Sequence, residues 1–425
     1  MIMGNELPKG WKIVPLKEIT SIIRGVSYPK EEAKLHSEED CVHILRGGNI
    51  QDGKIVLDTD DNVYVNSTFV GEEQFVLKDD VVIVASTGSK KVIGKAATIE
   101  EDSRSISFGA FLLLLRTNVI NKRFHSYFFQ TQYYRNTISS LAGGININNI
   151  KKEHIENLQI PLPPLEEQKQ ISEKLDKLFD QIESIKKSTE RIPELLKNFR
   201  QQILTYAVTG KLTEDWRKDK QLDAWRVELA KDCCMKVQSG GTPKGSKFET
   251  VGIPFLKVYN IVNNKIDFES EPQYVSEEIQ NSQIKKSITY PGDVIMNIVG
   301  PPLNKVAIIP DTYIEWNLNQ AITLFRPKEY LNNKYLYYFF CEGSSVNSVI
   351  DKTRGVVGQV NISLSQCRDF SISIPPMEEQ LEIVKRIEAL FNILDDVEKR
   401  HKALCDKLDK LPQALLCKAF KGELV

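Results

Sequence analysis

The chain has 425 residues, of which 41% are hydrophobic and 27% charged, and its 56 basic and 57 acidic side chains leave a net charge of -1. That length holds two to four ordinary domains with well-filled cores, and the near-neutral balance excludes a basic tail, so a polyanionic partner would have to be met by local clusters of cations. No run approaches the ~18 apolar residues of a membrane helix, and residues 1–11 lack a basic-then-apolar leader, so the expectation is a cytoplasmic protein with no membrane contact.

In chain order, residues 1–160 read as a mixed, sheet-rich domain. Short strands are expected at 41–45, 54–57, 62–65, 81–84, 92–99 and 111–116. Turn signals separate them, among them Gly47-Gly48-Asn49, Asp52-Gly53 and Thr87-Gly88-Ser89. A helix is expected over 122–141, followed by a Gly143-Gly144 loop.

Pro163-Pro164 then stops the preceding strand and leaves Glu166-Glu167-Gln168 in the first turn of a helix, where carboxylates favour the dipole. Those glutamates are expected to be structural, not an acid and base pair. From here apolar residues fall in a 4-3-4-3 rhythm through Ile171, Leu175, Leu178, Ile182, Ile185, Thr189, Ile192 and Leu196, the seam of a coiled coil spanning 161–213. About 36 residues of such a seam are ~54 Å long at 1.5 Å per residue, enough to serve as a ruler. Pro193 should kink or restart the helix, and Gly210 should end it.

The second half repeats the first. Residues 214–374 again read as a mixed, sheet-rich domain, with strands at 254–258, 293–298, 305–309 and 321–326, a helix near 333–345 and a loop around Arg354-Gly355. Pro163-Pro164-Leu165-Glu166-Glu167-Gln168 returns as Pro375-Pro376-Met377-Glu378-Glu379-Gln380, an offset of 212 residues. A second seam over 375–425 runs through Ile383, Ile387, Leu390, Leu394, Val397, His401, Leu404 and Leu408, with Pro412 inside it, where the helix should again kink or restart, and Gly422 at its end. Each seam has one polar break, Thr189 and His401, at the same station. The domains match less well than the helices, yet Trp11 answers to Trp225, Asn49 to Asn260, Asp80 to Asp293 and Arg116 to Arg326. So long a period excludes a solenoid and indicates two domain-sized copies, each with a constant and a variable part. The expected fold is α+β: two sheet-rich domains separated by two long helices that form an antiparallel coiled coil, with pseudo-twofold internal symmetry.

Loop chemistry suggests where the variable parts bind. In the first copy Arg46, Asn49, Thr87, Ser89, Lys90, Lys91, Asn146 and Asn148 lie in or beside glycine-containing loops; in the second, Lys257, Asn260, Asn297, Asn304, Lys305, Arg354 and Gln359 do. Arg and Lys suit guanine edges or phosphate, and Asn and Gln suit adenine edges. Gly, Asn and Ser are also simply what turns are made of.

Catalytic signatures are missing. Gly88 to Lys95 has the wrong spacing for a phosphate-binding loop, with Ala96 where a magnesium-binding hydroxyl would stand, and Gly300-Pro301-Pro302-Leu303 lacks the flanking residues of an adenine methyltransferase motif. Seven cysteines without a Cys-x-x-Cys pair and five scattered histidines point to reduced thiols and no metal site.

The duplicated Pro-Pro-[Leu/Met]-Glu-Glu-Gln openings, the helix ends Ala207-Val208-Thr209-Gly210-Lys211-Leu212 and Ala419-Phe420-Lys421-Gly422-Glu423-Leu424, and Arg46-Gly47-Gly48-Asn49-Ile50 together resemble the specificity subunit of type I restriction-modification systems over essentially the whole chain. The resemblance implies a non-catalytic DNA reader. Each variable domain would be a target-recognition domain for one half of a split, asymmetric site in double-stranded DNA. The helices would fix the gap and seat two adenine-N6 methyltransferase subunits, with restriction and translocase subunits completing the complex. No cofactor is implied on this chain; S-adenosylmethionine, ATP and magnesium would belong to the partner subunits. Pro291-Gly292-Asp293-Val294 also resembles a sequence usual in this family's target-recognition domains, and the first copy departs from it, with Asp79 standing where the second copy has Gly292. The competing readings are a coiled-coil scaffold whose two heads bind protein or glycan partners, and half of a stand-alone nuclease-methylase, which the absent motifs disfavour.

Overall fold

A computed structural model describes residues 7–51, 53–59, 62–141, 148–245, 248–350 and 361–425. The chain divides into two compact units, Met1–Glu190 together with Lys402–Val425, and Arg191–His401. These limits differ from the sequence-drawn boundaries near 160 and 374 because each head shares a core with the helical segments beside it. In the first unit Ile171, Leu175, Leu416 and Phe420 are buried in one cluster with Phe124, Tyr127 and Phe128. In the second, Leu204, Ala207, Ile383 and Ile387 join Tyr335, Leu336 and Phe339.

The first head centres on a four-stranded antiparallel sheet in the order Ser21–Arg24, Leu112–Arg116, Val81–Val84, Ala96–Thr98. Both faces are covered, which is why Val81 to Val84 and Leu112 to Leu115 are unbroken apolar runs instead of alternating ones. Val81, Ile83, Leu113 and Leu115 face the helix-side core, and Val82, Val84, Leu112 and Leu114 face the opposite one. A second sheet pairs Cys41–Leu45 in parallel with Ile106–Phe108 and antiparallel with Tyr64–Asn66. Lys12–Pro15 and Gln159–Leu162 pair where the chain enters and leaves the head.

The second head repeats this plan strand for strand. Its four-stranded sheet runs Cys234–Ser239, Ile322–Pro327, Val294–Asn297, Val306–Ile308. Ile253–Leu256 again has one parallel neighbour, Asn317–Leu318, and one antiparallel, Tyr274–Val275. Arg226–Leu229 pairs with Ser371–Ile374 at the entry and exit.

Some expected elements are shorter or divided. The helix expected over 122–141 is two, Lys122–Phe128 and Gln132–Leu141, separated where the Thr131 hydroxyl donates to the Phe128 carbonyl and accepts from the Tyr134 amide. Its counterpart is divided at Gly343, which takes a φ of +94°. The strand expected over 92–99 shrinks to Ala96–Thr98 after Gly94, at φ +68°.

Three helices carry the repeat: α1 (Leu165–Thr189), α2 (Ile192–Val208) and α3 (Met377–Ala419). Pro193 falls in the first turn of α2 and restarts the helix, whereas Pro412 lies inside an uninterrupted α3. Within the first unit, Lys186 Nζ meets Asp409 Oδ1 at 2.6 Å and Lys174 Nζ reaches the Leu424 carbonyl at 2.6 Å. Stepping back along α1 therefore steps forward past α3, and the two run antiparallel. Within the second unit, Arg200 pairs with Asp395 and Glu398 while Arg386 Nη1 donates to the Leu212 carbonyl at 2.9 Å, again antiparallel. Burial along the seams is uneven: Ile171, Leu175, Ile182, Leu196, Ile383, Ile387 and Leu408 are enclosed, Leu178, Thr189, Ile192, Leu390, Leu394 and His401 are half-buried, and Ile185, Val397 and Leu404 are exposed.

Candidate nucleic-acid interface

The join between head and helix explains why the Pro-Pro-x-Glu-Glu-Gln sequence recurs. Glu167 Oε1 accepts the Trp11 indole N–H at 3.0 Å, and Glu379 Oε2 accepts that of Trp225 at 2.9 Å while also pairing with Arg217. Gln168 donates to the Pro163 carbonyl at 2.8 Å and accepts from the Asn121 amide at 2.9 Å. Gln380 repeats both bonds with Pro375 and Asn332, at 2.8 and 2.7 Å. Asn121 and Asn332 cap corresponding helices of the two heads, Lys122–Phe128 and Asn333–Glu342, so one amide side chain ties the start of the long helix to the head. Gly210 and Gly422, both left-handed, lie beneath the rings of Trp225 and Trp11 respectively. These carboxylates are thus consumed by structure.

Further contacts fix the heads on their helices. In the first unit Tyr127 donates to Asp176, whose Oδ1 also takes Arg123 Nε at 2.8 Å, and the phenol packs edge-on against Phe179. Burial, aided by the bond to Asp176, pushes the Tyr127 phenol up. The second unit places Lys334 against Glu388 at 2.7 Å and Tyr338 edge-on to Phe391.

On this foundation each head builds the same turn. Immediately after Cys41–Leu45, the Arg46 amide donates to Asn49 Oδ1 at 2.7 Å, and Asn49 Nδ2 donates to the Val56 carbonyl at 2.8 Å. After Ile253–Leu256, the Lys257 amide donates to Asn260 Oδ1 at 2.9 Å, and Asn260 Nδ2 to the Asp267 carbonyl at 3.2 Å. Both asparagines are 1% exposed. They face inward and lock the turn, so base contact is not open to them in this conformation; the preceding cation is what the turn presents. Arg46 is exposed with no ion pair among the described residues. Lys257 is half-buried, its ammonium 4.4 Å from the Phe248 ring centroid and 6.0 Å from that of Tyr259.

Ser89, Lys90 and Lys91 form an exposed tip beyond the Ser86–Thr87 strand, with the Ser89 amide donating to the half-buried Thr87 hydroxyl at 3.3 Å. Asn148 pairs with Thr87 through the backbone, bringing a second loop to this edge. In the other head Asn297 is fully buried and donates to the Val299 and Pro302 carbonyls at 3.1 and 2.8 Å, shaping the loop that carries Asn304 and Lys305. Asn304 sits at φ +66°, and Lys305 is half-buried. Asn146, Arg354 and Gln359 lie outside the described residues.

Sequence reading passed over Phe248 and Tyr259, whose only signal was aromatic character beside a cation. It also passed over a cleft of about 820 Å³ within the first unit, lined by Lys54, Lys95, Arg123, Arg135 and Lys186 but also by Glu100, Asp180, Glu183 and Asp409, the last of them paired with Lys186. Its mixed charge makes a poor phosphate track. No group of three or more metal-ligating side chains occurs among the described residues, and no helix there is long and apolar enough to cross a membrane.

Comparison with known proteins agrees with this duplicated plan. The model of the type I restriction modification DNA specificity domain matches residues 8–194 and again 224–404. The chain is 36% identical to the type I restriction enzyme EcoKI specificity subunit of Escherichia coli K12, over 99% of this chain and 90% of that protein. It is 34% identical to the StySPI specificity subunit of Salmonella potsdam over the same shares. In fold it is similar to the crystal structure of the HsdS subunit from Thermoanaerobacter tengcongensis, with a TM-score of 0.70 at 19% identity and 99% coverage of both chains. Two heads of one design with unlike loops, each keyed to a repeated helical joint, and a family model that matches twice, together place the chain in the type I restriction-modification DNA specificity family, whose part is recognition and not catalysis.

Proposed function

We propose that the chain reads a bipartite, asymmetric site in double-stranded DNA on behalf of a type I restriction-modification complex in the cytoplasm. Each head takes one half-site, through phosphate anchoring by exposed cations such as Arg46, Lys90 and Lys91 and through base-edge contacts from the neighbouring loops. The observation that carries this reading is the turn locked by Asn49 in one head and by Asn260 in the other: the scaffold is held constant while the residues presented differ. Unlike loops on like frames suit unlike half-sites.

The helices set the gap and seat the partner subunits. Leu195, Phe199 and Tyr206 on α2, and Ile393, Val397, Leu404 and Leu411 on α3, are exposed at helical spacing. Such rows are more apolar than solvated helix faces need to be and suit docking by helices of two adenine-N6 methyltransferase subunits. S-adenosylmethionine would then be bound by those subunits, and ATP with magnesium by the restriction subunits. Neither the scaffold reading nor the nuclease-methylase reading draws support from the family placement.

The test is geometric. One heptad inserted into α1 adds about 10 Å of helix, close to three base-pair steps. Mapping methylated adenines in cells carrying the altered chain with its methyltransferase should return the same half-sites at a changed separation. An unchanged separation overturns the ruler.

A further inference from the structure

The two locked turns agree in backbone, hydrogen bonding and leading cation, and differ at one exposed station. Arg46-Gly47-Gly48-Asn49 corresponds to Lys257-Val258-Tyr259-Asn260, so Gly48 stands where the second head has Tyr259.

Nothing in the fold calls for glycine at 48. Its φ lies outside the left-handed region, and a Cβ built there would meet no heavy atom within 4 Å. At Gly47 the nearest atom would be Val84 Cγ1 at 3.8 Å, an ordinary contact. The second head shows that the same turn accepts a large side chain, because Tyr259 occupies it with 39% of its surface exposed. Glycine carries an entropic penalty on folding, and one reason to keep it where neither conformation nor packing requires it is close approach of the backbone to something outside the chain. Tyr259 presents the opposite surface. Its ring and that of Phe248, 37% exposed, flank the Lys257 ammonium and make an aromatic and cationic ledge suited to sugar and base edges.

We infer that this station, Gly48 in one head and Tyr259 in the other, is a specificity determinant at which the turn meets its half-site, as bare backbone in the first case and as an aromatic ledge in the second. The inference rests on the DNA-reading function proposed above and adds the residue through which each turn acts. Arg46 and Lys257 anchor; the station two residues on discriminates.

The experiment uses the complete complex with its methyltransferase subunits. The methylated motif is first mapped, and binding is then measured to a duplex carrying it and to duplexes with single-base changes in either half. Gly48→Ala should leave the thermal unfolding midpoint in place, since the added methyl meets open space, while reducing discrimination in one half-site by roughly tenfold, the scale of one lost base contact. Tyr259→Gly should do the same in the other half-site, and Tyr259→Phe should restore whatever the ring alone supplies. If discrimination at every base is unchanged in Gly48→Ala and Tyr259→Gly, the inference is overturned, even where overall affinity falls. If the unaltered complex discriminates at no base, it is the DNA-reading function that fails.

Discussion

Asp80 and Arg116 stand at matching stations to Asp293 and Arg326, and each pair closes a bidentate ion pair whose shortest contacts are 2.6 and 2.7 Å. The carboxylates are nearly enclosed, with 4% and 3% of the side chain exposed. Removing one partner from such a pair strands the other, so Asp80→Ala or Asp293→Ala should destabilise by about 3–5 kcal/mol, read by chemical denaturation. Residue chemistry also fixes a pH response. His125 is completely buried, with Nε2 2.9 Å from the Thr20 hydroxyl, and burial pushes its pKa down to about 3. Between that value and the ordinary 6.5 the unfolded chain binds a proton that the folded chain refuses, so stability is full above 6.5 and falls with pH below it. The loss is about 2 kcal/mol at pH 5. His125→Phe should flatten unfolding midpoints measured from pH 7 to pH 5. Both pairs were visible in the sequence only as recurring letters, and the inward turn of Asn49, Asn260 and Asn297 was not visible at all. Residue type names the hydrogen bonds a side chain can make, but a loop's own carbonyls can take them before any ligand does.

At the scale of elements, the heptad rhythm and the Pro-Pro-x-Glu-Glu-Gln start signals made α1, α2 and α3 legible, because a 3.5-residue period sustained over several turns has few other outcomes. The sheets were legible from apolar runs such as Val81 to Val84. What escaped was punctuation: the division at Thr131 comes from one side chain capping both ways, and that at Gly343 from a left-handed glycine. Pro412 is the clearest element-level prediction. Within the continuous α3 it can offer no N–H to the Leu408 carbonyl, so Pro412→Ala should stabilise the protein by about 1 kcal/mol or more, seen as a higher denaturation midpoint.

At the scale of the molecule, the duplication was legible, whereas the membership of the two units was not, because local patterns do not disclose which distant segment completes a core. The second unit is one continuous stretch, Arg191–His401, but the first is Met1–Glu190 completed by Lys402–Val425. Phe420 from that later stretch packs 4.9 Å from Phe124 and 5.8 Å from Phe128, centroid to centroid, in the core of a head made about three hundred residues earlier. A ribosome therefore delivers every part of the second unit before it delivers the closing piece of the first, and the head that is translated first must wait for its keystone. Chains released after His401 should keep a protease-resistant fragment of the second unit while the first is digested, and adding residues 402–425 in trans should restore protection. Order of manufacture and order of assembly run in opposite directions here, which makes the early head the one that most needs shelter during synthesis.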